Sequence, residues 1–174
     1  MSRQHPKVSS ARGLWRTPDD FWGAVNAKFG PFDLDVDNDV NASRVHACLP
    51  HNVDALAKDT EWVTEGTRRV WCNPPFSNVK QWMAKAEQES KRIRGSTVCV
   101  LAPLSASQWA LRYSKLASQV LILVPRIEFD PPPGVDVSRN SADNMLFVFN
   151  DKSPYREAIW YWEWSENGRS NSEQ

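Results

Sequence analysis

No apolar run in this chain approaches the roughly 20 residues a helix needs to cross a bilayer, and the amino terminus carries no signal-peptide apolar segment. A cytosolic protein without membrane contact is expected. Cysteine is scarce: Cys48, Cys72 and Cys99 are an odd number at scattered spacing, two of them in apolar, strand-like runs. They are expected to be buried, reduced thiols rather than a disulfide framework. His46, Cys48 and His51 lie close together, but no second ligand pair follows at metal spacing, so no zinc site is expected. Net charge is absent as well, with 21 Lys and Arg against 21 Asp and Glu. Any nucleic-acid contact would therefore rest on local patches, not on an overall basic excess. Neither an internal repeat nor a long linker interrupts the chain.

What is present is a chain of 174 residues with 41% hydrophobic and 24% charged residues, long enough for one domain with its own core. Nine tryptophans spread from Trp15 to Trp164 point to core and strand packing, not to one ligand cage. Residues 1–12 and 166–174 are polar and without periodicity, and read as disordered tails around a domain over 13–165.

Thr17 is placed to cap a first helix, with Pro18 at its first position, Asp19 and Asp20 in the first turn, Phe21, Trp22, Val25 and Phe29 at helical spacing, and Gly30 as the stop. Residues 32–37, Phe-Asp-Leu-Asp-Val-Asp, alternate as a half-buried strand. Three aligned aspartates repel one another, so they require a cationic partner or a function. Residues 38–68 read mostly as loop, with a short helix possible around 54–58. A strand over 69–73 follows, then a helix from a Ser77 cap to about Arg94, with Val79, Trp82, Met83, Ala86 and Ile93 inward and Gly95 as its stop. Lys91, Arg92 and Arg94 at that helix end suit dipole compensation better than a DNA patch.

Residues 97–102 form an unbroken apolar strand, 106–117 a short helix, and 120–124 another apolar strand. Strands alternating with helices, the strands apolar throughout, predict a parallel sheet covered on both faces. Residues 126–130, 145–149 and 158–164 are strand-like without intervening helices, so an antiparallel carboxyl-terminal section is expected.

The most informative stretch is Trp71-Cys72-Asn73-Pro74-Pro75-Phe76-Ser77. Two prolines fix φ and remove two backbone donors, which leaves the local carbonyls as outward acceptors. The Asn73 side chain adds an acceptor and Phe76 a stacking face. A planar amine, edge-on to two acceptors and face-on to a ring, fits this arrangement; adenine, cytosine and a glutamine side chain all offer one. The alternative is a purely structural Pro-Pro turn.

In order along the chain stand Thr17-Pro18, then Phe32-Asp33-Leu34-Asp35-Val36, then the heptapeptide, then Leu101-Ala102-Pro103. This order resembles the phage-type DNA adenine-N6 methyltransferase family, whose members typically read Thr-Pro, Asp-Leu-Asp-Val-Ala-Ala and Trp-Cys-Asn-Pro-Pro-Tyr-Ser. The resemblance covers roughly Trp15 to Phe149 and is most specific in the heptapeptide. Two departures stand out. Asp37-Asn38 replaces the usual pair of alanines, and Phe76 replaces tyrosine, keeping the ring and losing the hydroxyl. The glycine-rich loop of other methyltransferases is also missing, so cofactor binding must rest on carboxylates and loop backbone.

The resemblance implies a Rossmann-like fold, S-adenosylmethionine as methyl donor, and duplex DNA with a flipped-out adenine as acceptor, in the cytoplasm of a bacterial host. Asn73, Pro74, Pro75 and Phe76 become the expected catalytic turn, acting without a metal. Asp35, with Asp33 beside it, and Thr17 and Pro18 become the expected cofactor pocket. Asp59 is either a contact to the cofactor adenine or target base, or a solvated loop carboxylate. Residues 130–144, Pro-rich and polar, are either a DNA-contacting loop or a passive connection. Amino-methyltransfer to RNA or to a protein glutamine, and an inactive DNA-binding relative, use the same motif and stay open.

Overall fold

The computed structural model describes residues 16–36, 44–45, 47–49, 53–131, 143–151 and 159–165. The expected tails, Asp37 and Asn38, His46 and His51, and residues 132–142 lie outside these.

Helix α1 spans Asp19–Phe29 and buries Phe21 and Val25. Pro18, not Thr17, occupies its cap position: the Trp22 N–H donates to the Pro18 carbonyl at 2.9 Å, and no side chain caps the helix. Gly30 caps the helix in an extended conformation, and the position requires glycine because a Cβ there would stand 2.2 Å from Asn26 Oδ1, which accepts the Phe32 N–H at 3.2 Å. The alternating aspartate segment forms strand only at β1 (Leu34–Asp35). Residues 54–58 are turns rather than a helix.

β2 (Arg69–Cys72) runs into a single 3-10 turn at Phe76–Asn78, and α2 starts only at Val79 and ends at Ser90. Gly95, at φ +85°, turns the chain into β3 (Thr97–Pro103), a left-handed conformation that glycine adopts without steric cost. α3 (Gln108–Ser114), β4 (Gln119–Val124), β5 (Asn144–Asn150) and β6 (Ile159–Glu163) complete the elements.

The sheet has six strands in the order β1-β2-β3-β5-β4-β6. β5 alone runs against its neighbours: it lies between β3 and β4 and is antiparallel to both, pairing Val100 with Phe147 and Leu121 with Leu146. β6 pairs parallel to β4, so the antiparallel section is one inserted strand, narrower than the sequence suggests. Residues 126–130 form no strand, only a bridge between Asp130 and Arg16. The result is a mixed, mostly parallel sheet of the Rossmann-like kind.

A core lies on each face. Val70, Cys72, Val98, Val100 and Phe147 pack with α2 and α3 residues on one side; Trp71, Cys99, Leu101 and Leu146 pack with Phe21 and Val25 of α1 on the other. Each fully buried side chain of this size contributes roughly 1.5–3 kcal/mol. Trp62 and Trp71 are fully buried and Trp22, Trp82, Trp109, Trp162 and Trp164 pack against the two cores, as core packing predicts, whereas Trp160 on β6 is exposed. Burial pushes the Cys99 thiol far above its usual range, against the lesser pull of the Arg69 charge. Among the described residues, no helix is long and apolar enough to cross a membrane.

One ion pair of α2 is buried. Glu89 is fully enclosed and accepts the Trp62 and Val63 N–H groups at 2.9 and 3.1 Å, while Lys85 meets it at 2.8 Å. The basic cluster at the helix end is also paired: Lys91 with Glu87, Arg92 with Glu61, and Arg94 with Asp151 at 3.9 Å. It lies at the opposite edge of the sheet from Asn73, because α2 carries the chain from the end of β2 back to the start of β3.

Candidate active site

Trp71 and Cys72 are wholly buried in opposite cores, which fixes β2 against rolling. Asn73 emerges half-buried at its carboxyl end, the edge where open α/β sheets form their ligand crevice. Pro74 is buried and Pro75 exposed. The Pro75 carbonyl is taken by the Asn78 N–H at 3.1 Å, closing the turn, and no donor among the described residues meets the Pro74 carbonyl. The turn thus presents two acceptors, the Asn73 side chain and the Pro74 carbonyl. Phe76 follows, half-buried, and packs edge-on to Phe129 with ring centroids 6.4 Å apart at 80°.

Thr17 is brought here by the segment that leads into α1. Its hydroxyl lies 3.5 Å from Asn73 Nδ2, which donates to it. At that length the contact orients more than it binds. With the amide nitrogen turned to Thr17, Asn73 Oδ1 points the other way. Thr17 and Pro18 are both buried beside the motif.

Asp35 lies level with Trp71 on the neighbouring strand, and Val36 N–H donates to the Trp71 carbonyl at 3.1 Å. Asp35 as a whole is 2% exposed, and its carboxylate accepts the Arg44 backbone N–H at 3.0 Å. A buried carboxylate at a sheet's carboxyl edge accepts from groups such as the cationic amino group or hydroxyls of an S-adenosylmethionine molecule, so this acceptor fits that cofactor. Asp33 is placed differently. It stands about 7 Å back along the strand, and its carboxylate accepts the Arg68 and Arg69 N–H groups, both at 2.9 Å. Asp59 is exposed on the turn before Thr60, whose carbonyl accepts Lys85 Nζ at 2.5 Å, and no contact ties it to Asn73.

Sequence reading did not single out Arg44 or Phe129. The guanidinium of Arg44 pairs with Asp19 and Asp130 and donates to the Thr17 carbonyl. No signal in the sequence pointed to it: the aspartate run of residues 33–37 called for a cation, but the Arg44 guanidinium meets Asp19 and Asp130, and only its backbone N–H meets Asp35.

A family model described as DNA N-6-adenine-methyltransferase (Dam) matches residues 4–169. The chain belongs to this family. The DNA N-6-adenine-methyltransferase of Haemophilus phage HP1 is 25% identical over 157 residues, covering 89% of this chain and 88% of that protein. The Escherichia coli protein YfdM, named only provisionally as a methyltransferase, is 41% identical over 64 residues, 36% of this chain and 69% of its own. A crystal structure of a predicted O-methyltransferase from Agrobacterium tumefaciens aligns with a TM-score of 0.37 at 15% identity, over 67% of this chain and 51% of that one. Family membership makes the chain an adenine-specific DNA methyltransferase.

Proposed function

We propose that the chain transfers a methyl group from S-adenosylmethionine to the exocyclic amine of an adenine flipped out of duplex DNA, at the turn Asn73-Pro74-Pro75-Phe76. The observation that carries this reading is the pair of acceptors at the end of β2, with the Asn73 amide turned by Thr17 so that its oxygen faces away from α1. An adenine amine is a weak nucleophile because its lone pair is delocalised into the ring. Asn73 Oδ1 and the Pro74 carbonyl, each accepting one N–H, favour a tetrahedral nitrogen with a localised lone pair. Phe76, backed by Phe129, offers its ring to the base. Catalysis is then positioning plus preorganised electrostatics, with no covalent protein intermediate.

Asp35, with Thr17 and Pro18, would hold S-adenosylmethionine, whose chemistry here is an electrophilic methyl on sulfonium. Asp33 is the neighbouring carboxylate of that pocket, and the Arg68 and Arg69 N–H groups it accepts also anchor β1 on β2. Because the amine is unreachable within a base stack, the adenine must leave it, and an unpaired or mismatched adenine should be the easier substrate. Residues 130–144 are the proposed DNA-facing segment; of these, 132–142 lie outside the described residues.

The cofactor half is tested by calorimetry. Asp35→Ala should weaken S-adenosylmethionine binding by about tenfold or more, roughly 1.4 kcal/mol, as for loss of a charge-assisted hydrogen bond. Unchanged affinity would move the cofactor elsewhere. The balanced net charge is the observation that favours another acceptor. Labelled S-adenosylmethionine offered with DNA, RNA and protein acceptors separately should label DNA, and label in RNA or protein alone would refute the DNA reading.

A further inference from the structure

We propose that Arg44 is a positioning residue that couples cofactor binding at Asp35 to assembly of the base platform at Asn73 and Phe76. The inference rests on the DNA-methyltransferase reading and deepens it. Arg44 touches both halves of the site through different atoms. Its backbone N–H donates to Asp35 Oδ2 at 3.0 Å. Its guanidinium donates to the Thr17 carbonyl, pairs with Asp19, and stands 3.6 Å from Asp130 Oδ2. Two of these, Thr17 and Asp130, lead onward to the base side. Thr17 carries the hydroxyl that meets Asn73 Nδ2. Asp130 is fixed to Arg16 by two backbone hydrogen bonds of 3.0 Å, and the residue before it, Phe129, is the ring behind Phe76.

The environment of the side chain argues against a purely stabilising role. It is 4% exposed, while its partners Asp19 and Asp130 are 87% and 53% exposed, so the cation is desolvated more than the anions that balance it. Its Nε is buried without a hydrogen-bond partner. Burying a charge so incompletely matched contributes little net stability, and a well-packed apolar side chain would serve the fold as well. What an apolar side chain lacks is the fork that reaches a carbonyl and two carboxylates on separate segments at once. A ligand that fixes Asp35 fixes the backbone of residue 44, and the guanidinium passes that order to α1 and to the segment ahead of residue 131.

The test measures coupling, not activity alone. A non-reactive cofactor analogue, S-adenosylhomocysteine, is titrated by calorimetry into the full-length protein with and without unmethylated duplex DNA. In the wild type, DNA should tighten the analogue by about tenfold, within the usual range for coupled sites. In Arg44→Met, and in Arg44→Lys, which keeps the charge but not the fork, DNA-free affinity should stay within about threefold while the DNA-dependent gain disappears. Asp130→Asn, an exposed change that spares the fold, should lose part of the gain. A purely structural Arg44 predicts a lower melting temperature with the coupling ratio intact in the folded fraction. That result, or a wild type that methylates DNA without any coupling, overturns the inference and leaves the functional reading standing. A wild type that methylates RNA or protein but not DNA overturns both.

Discussion

Asn73→Ala is expected to lower turnover by two to three orders of magnitude, about 2.7–4 kcal/mol, the loss seen when one preorganised polar group of a reacting centre is removed. The change takes away the side-chain acceptor and leaves the Pro74 carbonyl alone. The fold should tolerate it: Asn73 is half-buried, its contact to Thr17 is long at 3.5 Å, and β2 is held by Trp71 and Cys72. Cofactor affinity should stay near wild type, because Asp35 is untouched. Steady-state kinetics, calorimetry and a melting curve on the same protein check all three. Near-normal turnover would remove the turn from the chemistry.

Phe76→Ala is expected to lose tenfold to hundredfold in turnover, since base stacking on an aromatic ring contributes roughly 1–3 kcal/mol. Phe76→Tyr and Phe76→Trp should retain activity. The ring also packs on Phe129, so Phe76→Ala should lose some stability as well. Because the residue is half-buried, that loss should be roughly 1–2 kcal/mol, below the 3–5 of a fully buried phenylalanine. The kinetic defect should exceed the stability defect, and a large fall in melting temperature with unchanged turnover in the surviving protein would make Phe76 a core residue.

The strands were legible because uninterrupted apolar runs such as Val98–Leu101 and Leu146–Phe149 have both faces to bury, and the structure buries both. Strand direction was not, because apolar alternation hides the same side chains whichever way a strand runs; β6 is parallel to β4 where the sequence suggested antiparallel. The motif was legible as local chemistry, since two prolines act on the backbone wherever they occur. Thr17 misled for the opposite reason. A threonine before a proline is a good helix cap, but its hydroxyl is engaged by Asn73, 56 residues away, which no local rule anticipates. Glu89 follows the same pattern: a charged helix position looks solvated until Trp62 and Val63 aim their N–H groups at it. Arg44 sits outside any helix or strand, so no periodicity marked it, and its charge partners Asp19 and Asp130 are 25 and 86 residues away in sequence, beyond the reach of any local rule.

Methylation of the adenine amine in DNA at the Asn73 turn can be read directly by nucleoside mass spectrometry. Unmethylated DNA is incubated with S-adenosylmethionine and the full-length protein, wild type or Asn73→Ala, then digested to nucleosides. N6-methyldeoxyadenosine is expected with the wild type, and about a hundredfold less with Asn73→Ala at equal time. Methylation confined to cytosine, or equal N6-methyldeoxyadenosine from both proteins, would contradict that expectation.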